Sequence, residues 1–251
     1  MTGLTLRRVA HHDPAGDSVL AGHPALRPFL TDLTATYGLA LREDVLGTGQ
    51  AYAELAAPAV EGVTNAGEPV DLLVLAYGVP DVQPGRNVAL HLASRCPGHP
   101  LAFAICDQGP AAAFTALRLI ADYAPARALL VVAEQSAVPY PLIGPATVPD
   151  RHSAVALLFE TGPTPVAVRT HATLPPEAID DVLAADVAAL VGAGAEATVM
   201  LGSGLDHGPA GRGLPYTGLW VRLADAPPGP LVFADYDPVL GYLSVAALAA
   251  G

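Results

Sequence analysis

Lysine is absent from this 251-residue chain, and all twelve basic residues are arginine. This absence excludes a Walker A lysine, a pyridoxal Schiff base and a lysine nucleophile. The net charge of −12 argues against a basic surface that tracks phosphates, so nucleic acid is not an expected partner. Only two cysteines occur, and they form neither a disulfide framework nor a zinc spacing, so we expect no metal and no cofactor.

Long apolar runs are also missing. The longest ones, such as 128–133, have the length of a strand and fall well short of the roughly 18–20 residues of a membrane span. The N-terminal segment shows no apolar region followed by a cleavage site, so we expect a cytoplasmic chain with no membrane partner. Hydrophobic residues make up 52% of the sequence, enough for a substantial core. We expect one domain over 1–251, with an N-terminal half (1–165) and a shorter C-terminal half (166–251).

The first half alternates between strand-like and helix-like segments. Helical spacing occurs in 27–43 and 49–63, although residues 1–65 are otherwise hard to interpret. Beyond them, the pattern predicts strands over 70–78, 100–105, 126–134 and 153–161, and helices over 87–96 and 110–124. Such alternation indicates an α/β protein in which helices cover a sheet.

The second half repeats this order in shorter form. Its pattern predicts a helix over 176–194, a strand over 196–204, a short helix over 216–226, and strands over 229–237 and 241–250. Only LDHGPAGRGLP separates the first of these strands from the short helix, which is too little for a further helix and strand. We therefore predict two structural repeats, the second lacking one strand–helix unit.

Cys106 occupies the junction between the strand over 100–105 and the nearly all-apolar helix over 110–124. Backbone N–H groups at the start of a helix stabilise a thiolate, and the same groups can receive the oxyanion that forms when a thioester is attacked. The position therefore favours acyl-thioester chemistry. The alternative is that Cys106 is simply a small apolar residue of the core, as free cysteines often are.

Several segments resemble the thiolase-fold condensing enzymes, specifically the β-ketoacyl-acyl-carrier-protein synthase III branch. The resemblance rests on VDLLVLAYGVPD, LAFAICDQGPAAAFTALRLIADYAPARALLVVAEQ and DRHSAVALLFE, and it covers about 70–160. In that family a strand leads into the nucleophilic cysteine and a buried helix follows it. The resemblance implies a layered α-β-α-β-α thiolase-like fold built from two repeats, with Cys106 as the acylated nucleophile. It also implies that this chain is a truncated and divergent relative.

The C-terminal half departs from the family pattern. Condensing members use a His and an Asn from that half, whereas the only asparagines here are Asn65 and Asn87. Gly202 and Ser203 stand where the family has its His, and His207 follows slightly later. We predict that His207 assists Cys106. The alternative for His207 is a solvated turn residue.

The remaining candidate residues surround the cysteine in the inferred fold. We expect Asp107, Gln108, His152 and Ser203 to contact the substrate. Asp107 replaces a small residue of the family, and its alternative role is to cap the following helix. The alternative for His152 is a hydrogen-bonded structural histidine. Cys96 is expected to be a packed thiol, and the HHD motif at 11–13 a surface feature.

Two functions remain open from the sequence. The first is an acyl-thioester enzyme of fatty acid or polyketide-type metabolism, in which Cys106 accepts an acyl group from coenzyme A or an acyl carrier protein for transfer or condensation. The second is a non-catalytic ketosynthase-like subunit that pairs with a complete synthase, comparable to a chain-length factor. In either case the resemblance implies a homodimer or heterodimer through the region 87–105.

Overall fold

The computed structural model describes residues 3–192, 196–206 and 213–251. Within these ranges the strands are β1 (Gly3–His12), β2 (Leu72–Ala76), β3 (Leu101–Ile105), β4 (Arg127–Glu134), β5 (Ser153–Gly162), β6 (Ala167–His171), β7 (Thr198–Leu201), β8 (Gly229–Asp237) and β9 (Tyr242–Ala250). The α-helices are α1 (Leu26–Thr36), α2 (Tyr52–Val63), α3 (Val88–Ala93), α4 (Ala111–Tyr123), α5 (Ile179–Val191) and α6 (Gly218–Arg222). Short 3-10 turns cover Glu43–Val45, Pro176–Ala178 and Leu223–Asp225.

The strands form two sets with the same connectivity. The first set has the order β3-β2-β4-β5-β1, in which β2 is parallel to β3 and β4, and β5 is antiparallel to β4 and β1. The second set has the order β7-β8-β9-β6, in which β7 and β8 are parallel, and β9 is antiparallel to β8 and β6. A short parallel pairing between β1 and β9 joins the two sets into one sheet.

The match between the two sets confirms the predicted repeat. Strands β6, β7, β8 and β9 correspond to β1, β2, β4 and β5 in order and direction. Among the described residues, no strand of the second set corresponds to β3, so β7 lies at the edge. The missing unit is the one that the short segment before α6 predicts.

Five layers stack on one another, and α4 lies in the middle. Because side chains alternate along a strand, each set has two apolar faces. One face of the first set packs against α2 and α3, and the corresponding face of the second set packs against α5. The remaining faces of both sets enclose α4 and the short α6. The order is therefore α-β-α-β-α, as predicted.

The local sequence explains why α4 forms and where it ends. Seven of its residues are buried, and they include Phe114, Leu117 and Ile120, which repeat at helical spacing. The helix ends at Ala124, which takes a left-handed conformation (φ 49°) and donates its N–H to the carbonyl of Ile120. Pro125 follows, and a proline disfavours helix in the residue before it. The predicted buried helix over 110–124 is confirmed.

Two strands were missed by the sequence interpretation. β1 begins with four buried residues, but none of its last six residues is buried, so the apolar pattern is interrupted at Arg7. β6 has five residues and none is buried, since it pairs only with β9 at an edge. Neither strand shows the continuous apolar run or clean alternation on which a strand prediction depends.

Two classes of feature are absent from the described part of the chain. No helix there has the length and apolar character needed to cross a membrane. No group of three or more His, Cys, Asp or Glu side chains is placed there to hold a metal ion. In the HHD motif, His11 and Asp13 are exposed, which agrees with the surface role expected for it.

Candidate functional site

Cys106 and Tyr77 lie side by side where two parallel strands end. Ala76 is paired with Ile105 in the register of β2 and β3, so the next residue of each strand emerges at the same edge. The N–H of Tyr77 donates to the carbonyl of Ile105 at 3.2 Å, which continues the ladder by one step. The carboxyl ends of parallel strands are where α/β proteins usually place their sites.

The Cys106 thiol donates a hydrogen bond to its own neighbour. Its Sγ lies 3.1 Å from Oδ2 of Asp107. Partial burial raises the pKa of the thiol above its ordinary value, and the hydrogen bond and negative charge of Asp107 raise it further, while a hydrogen bond from Tyr77 opposes them. The pKa of Tyr77 is raised to about 12, mainly by burial and also by Cys106. The contact with Asp107 therefore favours the neutral thiol over the thiolate.

α4 begins five residues after Cys106, close to the start that the sequence predicts. β3 ends at Ile105 and α4 begins at Ala111, so the segment 107–110 separates the thiol from the helix. The N–H groups of Ala111 and Ala112 donate to carbonyls of Gln108 and Gly109 inside this turn. Because the effect of the helix dipole falls off within its first turn, the expected stabilisation of a Cys106 thiolate is not provided by this geometry.

Asp107 does not cap α4, so the alternative role expected for it is wrong. The capping position is Pro110, and no side chain caps the helix there. Asp107 instead has a left-handed backbone (φ 63°), a conformation that Asp tolerates better than most residues. This turn directs its carboxylate back towards the thiol.

Two cavities meet at Asp107. The first has a volume of about 260 Å³ and is lined by Cys106 and Asp107 together with Tyr52, Tyr77, Gly78, Pro80, Asp81, Pro84, Arg86 and Val88. The second has a volume of about 250 Å³ and lies between the loop 142–147 and the end of β8; Gly109, Tyr216 and Asp237 are part of its wall. The described residues that line these cavities include neither a histidine nor an asparagine.

Asp81 gives the first cavity an unusual acidic group. Its Oδ1 accepts hydrogen bonds from the N–H groups of Tyr52 (3.3 Å) and Gln83 (2.9 Å). Its Oδ2 is buried and has no hydrogen-bond partner. Burial raises the pKa of Asp81 to about 6, although the two backbone hydrogen bonds act in the opposite direction. This carboxyl group is therefore partly protonated near neutral pH.

Glu134 anchors the segment that enters α6 beneath the second cavity. This carboxyl group at the end of β4 accepts hydrogen bonds from the N–H groups of Tyr216 (3.1 Å) and Thr217 (2.9 Å) and from the Thr217 hydroxyl. Burial raises the pKa of Glu134 to about 7, against the effect of these donors. The Tyr216 hydroxyl donates to the carbonyl of Thr147, which ties the loop 142–147 to the same point.

The structure brings only part of the predicted site together. Cys106 and Asp107 share the first cavity. Gln108 is half-buried, and its side-chain oxygen accepts a hydrogen bond from the hydroxyl of Thr115 in α4. His152 accepts the N–H of Ser136 at 3.2 Å, as in the structural alternative, and Ser203 lies half-buried in the turn after β7. Neither residue lines the two cavities.

His207 lies outside the described residues. The remaining predicted contacts of Gln108, His152 and Ser203 with a substrate stay predictions, as does the acylation of Cys106.

Several residues of the site were missed by the sequence interpretation. Tyr77 was detectable, because it lies near the end of the predicted strand over 70–78, as Cys106 follows the predicted strand over 100–105. Asp81 and Asp237 gave weaker signals, since an acidic residue in a turn is usually a solvated one. Only the fold shows that Asp237 reaches the start of α4.

Comparison with known proteins addresses the fold. No protein-family model matches the sequence, and no curated protein does. Among solved structures, this chain resembles the tetronic acid condensing enzyme AbyA1 with a TM-score of 0.60 and 16% identity, over 98% of this chain and 100% of that one. The acyltransferase ChlB3 gives a TM-score of 0.59 and 17% identity, over 98% and 97% of the two chains. A 3-oxoacyl-(acyl-carrier protein) synthase from Burkholderia xenovorans gives a TM-score of 0.60 and 15% identity, over 99% and 94%.

The chain has the thiolase-type fold. Its five layers, its paired repeats and the agreement with these condensing enzymes over nearly the full length all lead to that conclusion. At such low identity the likeness extends to the fold alone. This fold places α4 in the central layer, and the site itself must decide the function.

Proposed function

We propose that this protein is a ketosynthase-like subunit that pairs with a complete condensing enzyme of fatty acid or polyketide-type metabolism. It does not form an acyl-enzyme of its own. The observation that carries this proposal is the hydrogen bond from the Cys106 thiol to Asp107, which keeps the sulfur protonated. A thiolate, rather than a thiol, is the nucleophile in acyl transfer.

The composition of the two cavities supports the same conclusion. Decarboxylative condensation develops negative charge on an enolate and an oxyanion, which hydrogen-bond donors must stabilise. The described walls instead place the carboxylates of Asp81, Asp107 and Asp237 around the thiol and the start of α4. Arg86 is the basic residue among them. This environment disfavours the charge that condensation develops.

The edge strand β3 provides the surface for the proposed pairing. It lies at one end of the sheet, and its sequence LAFAI contains no charged residue. Leu101 is 56% exposed, and Phe103 contacts the ring of Tyr123, itself 56% exposed, at 5.9 Å. Soluble proteins usually protect such an apolar edge by charge or by pairing. We propose that the corresponding edge of the synthase subunit, or of a second copy, pairs with β3.

A second candidate function is acyl transfer through Cys106, and the cavity at the thiol favours it. In this reaction the sulfur attacks the carbonyl carbon of an acyl thioester while Asp107 accepts the thiol proton. The carbon–sulfur bond of the donor then breaks, and its thiol leaves with a proton. Either coenzyme A or an acyl carrier protein serves as donor, and the cavity of about 260 Å³ holds a short acyl group.

Intact-protein mass spectrometry separates the two candidates. The purified chain is incubated with acyl and malonyl thioesters of coenzyme A and of an acyl carrier protein, in parallel with Cys106→Ala and with Cys96→Ala. Cys96 is a matched control because it is buried and its pKa is raised to about 11. We expect no stable adduct on any chain. An adduct that disappears only in Cys106→Ala would overturn the partner role in favour of acyl transfer.

Association with a synthase tests the partner role directly. The chain is co-expressed with a condensing enzyme encoded beside it, and the product chain length and turnover of the enzyme are compared with and without it. We expect a stable complex and a changed product. A synthase that neither binds the chain nor alters its product in the chain's presence would contradict the proposal.

A further inference from the structure

The start of α4 is in contact with the end of β8. Asp237, the last residue of β8, is only 2% exposed. Its Oδ1 accepts hydrogen bonds from the N–H groups of Val239 (2.9 Å) and Leu240 (3.2 Å), which fixes the carboxylate in place. Its Oδ2 lies against Gly109, 2.1 Å from where a Cβ atom on that residue would stand.

Gly109 is required for this contact. Its φ of 54° lies in the left-handed region. A Cβ atom at this position would overlap with Oδ2 of Asp237, so no residue with a side chain fits while the carboxylate is there. The space beside Gly109, two residues before α4, is therefore filled by the side chain of Asp237 at the end of β8.

This space has a particular electrostatic character. α4 is 13 residues long, so its aligned peptide dipoles make its start attractive to an anion. An acyl-thioester oxygen bound there would be stabilised as it becomes an oxyanion. Asp237 supplies a fixed negative charge at the wall of the cavity beside this position.

We propose that Asp237 is a built-in anionic occupant of the α4 start, which takes the place of a substrate oxyanion and of any side chain at position 109. The inference rests on the proposed partner function, because it explains how the chain remains inactive towards thioesters. It adds that a single side chain from the second repeat closes the site. It also implies that replacing Asp237 by a smaller, uncharged residue opens the start of α4 again.

Installing a cysteine at position 109 tests the occupancy. The parent is Cys106→Ala, and the two compared chains add either Gly109→Cys alone or Gly109→Cys with Asp237→Ala. The rate of alkylation by iodoacetamide is followed across pH by intact mass. With Asp237 removed, we expect the new thiol to react at least about tenfold faster near neutral pH, because the open helix start lowers its pKa.

A matched variant separates charge from size. Gly109→Cys with Asp237→Asn keeps the volume of the side chain and removes its charge, so we expect a rate between the other two. Equal alkylation rates with and without the Asp237 carboxylate would overturn the proposal. This result would leave the partner role untouched, since that role is judged by association with a synthase.

A second measurement does not depend on the folding of the Gly109→Cys chains. Acetate is titrated at constant ionic strength into ¹⁵N-labelled wild type, Asp237→Ala and Asp237→Asn, and the amide resonances of 109–113 are followed. We expect saturable shifts in Asp237→Ala alone, as acetate enters the vacated position. Absence of saturable shifts in Asp237→Ala, or equal shifts in the wild type, would overturn the proposal.

Discussion

The two repeats share a strand order but differ at the ends of their parallel strands. In the first repeat, β2 and β3 are followed directly by Tyr77 and Cys106, which line a cavity. In the second repeat, the turn after β7 packs against Asp235, so that a Cβ on Gly202 would overlap with that carboxylate. Asp235 in turn accepts the N–H groups of Gly204 (3.0 Å) and Tyr236 (2.9 Å). The first repeat therefore has a cavity at the end of its parallel strands, whereas the hydrogen-bonded carboxylate of Asp235 fills the equivalent place in the second repeat.

The outer helices of the two repeats also differ, since α2 is largely buried and α5 is not. In α2, eight of the twelve residues are buried against the first set of strands. In α5, only Asp186 is buried, and its carboxylate pairs with Arg169 and His171 of β6 at 2.8 and 2.7 Å. The first repeat therefore holds more of the apolar core, whereas the second depends more on polar contacts and on the central layer. Each of the following predictions compares the two repeats.

The largest effect is expected from the layer that both repeats share. The ring of Phe114 on α4 lies 5.2 Å from that of Trp220 and 5.9 Å from that of Phe233. Phe114→Ala should lower the free energy of unfolding by about 3–5 kcal/mol, because it leaves a cavity in the central layer between the two sets of strands. Val182→Ala, on the partly buried face of α5, should lower it by about 1 kcal/mol. Urea unfolding followed by circular dichroism checks both, and equal losses would contradict the central role of α4.

Asp81→Asn should change how stability depends on pH. Burial raises the pKa of Asp81 from 3.8 to about 6 in the folded state, so its contribution to stability is fully present below about pH 4 and is lost as the pH rises through 6. Asp81→Asn should therefore be more stable than the wild type by on the order of 1–3 kcal/mol near pH 8, and equal to it near pH 4. Unfolding by urea at a series of pH values measures this difference.

Asp235→Asn is the matched variant in the second repeat. Burial raises the pKa of Asp235 from 3.8 to about 7, so the same loss of stability should extend to higher pH. Unlike Asp81, which lines a cavity, Asp235 on β8 packs against the turn after β7. A pH profile unchanged by both substitutions would show that neither carboxyl group is desolvated as the structure indicates.

The two edge strands should respond differently to a charge. Leu101 on β3 is 56% exposed and Val199 on β7 is 47% exposed, so both accept a lysine without disturbing the core. If β3 forms the subunit interface, Leu101→Lys should weaken association at least about tenfold, or about 1.4 kcal/mol, and Val199→Lys should not. Sedimentation equilibrium measures both. A stronger effect of Val199→Lys would place the interface at the second repeat.

The smallest effect concerns the thiol itself. Asp107→Asn removes the negative charge that helps to raise the pKa of Cys106, so the pKa should fall and alkylation by iodoacetamide should speed up several-fold near neutral pH. Cys96 of the first repeat's outer layer should not respond, because burial alone raises its pKa. Peptide mapping after limited alkylation distinguishes the two thiols. A slower reaction of Cys106 in Asp107→Asn would show that the carboxylate acts as a base rather than as an obstacle.

The sequence predicts most of the fold because the core strands carry their signal locally. Strands such as β4 are buried on both faces and appear as continuous apolar runs, and most residues of α4 are apolar. The missing unit of the second repeat follows from the length of one connection. β1 and β6 escape prediction because their pairing partners are distant in sequence and their own patterns are weak.

The site is less accessible to sequence reasoning. The position of Cys106 next to a strand end was predictable, but its separation from α4 depends on a turn in which Asp107 and Gly109 both take positive φ. The approach of Asp237 depends on how the second repeat docks on the first. Contacts that join two separately folded patterns leave no local signal in either one.

The pairing of β1 with β9 has a consequence for how the molecule is made. The two sets of strands form one sheet only when Thr5 and Leu6 pair with Ala249 and Ala250. This contact joins residues at opposite ends of the described chain. Contacts of such long sequence separation form late and slow folding. During synthesis, the face of α4 that packs against β8 and β9 stays uncovered until those strands emerge, and exposed apolar surface of this kind favours aggregation.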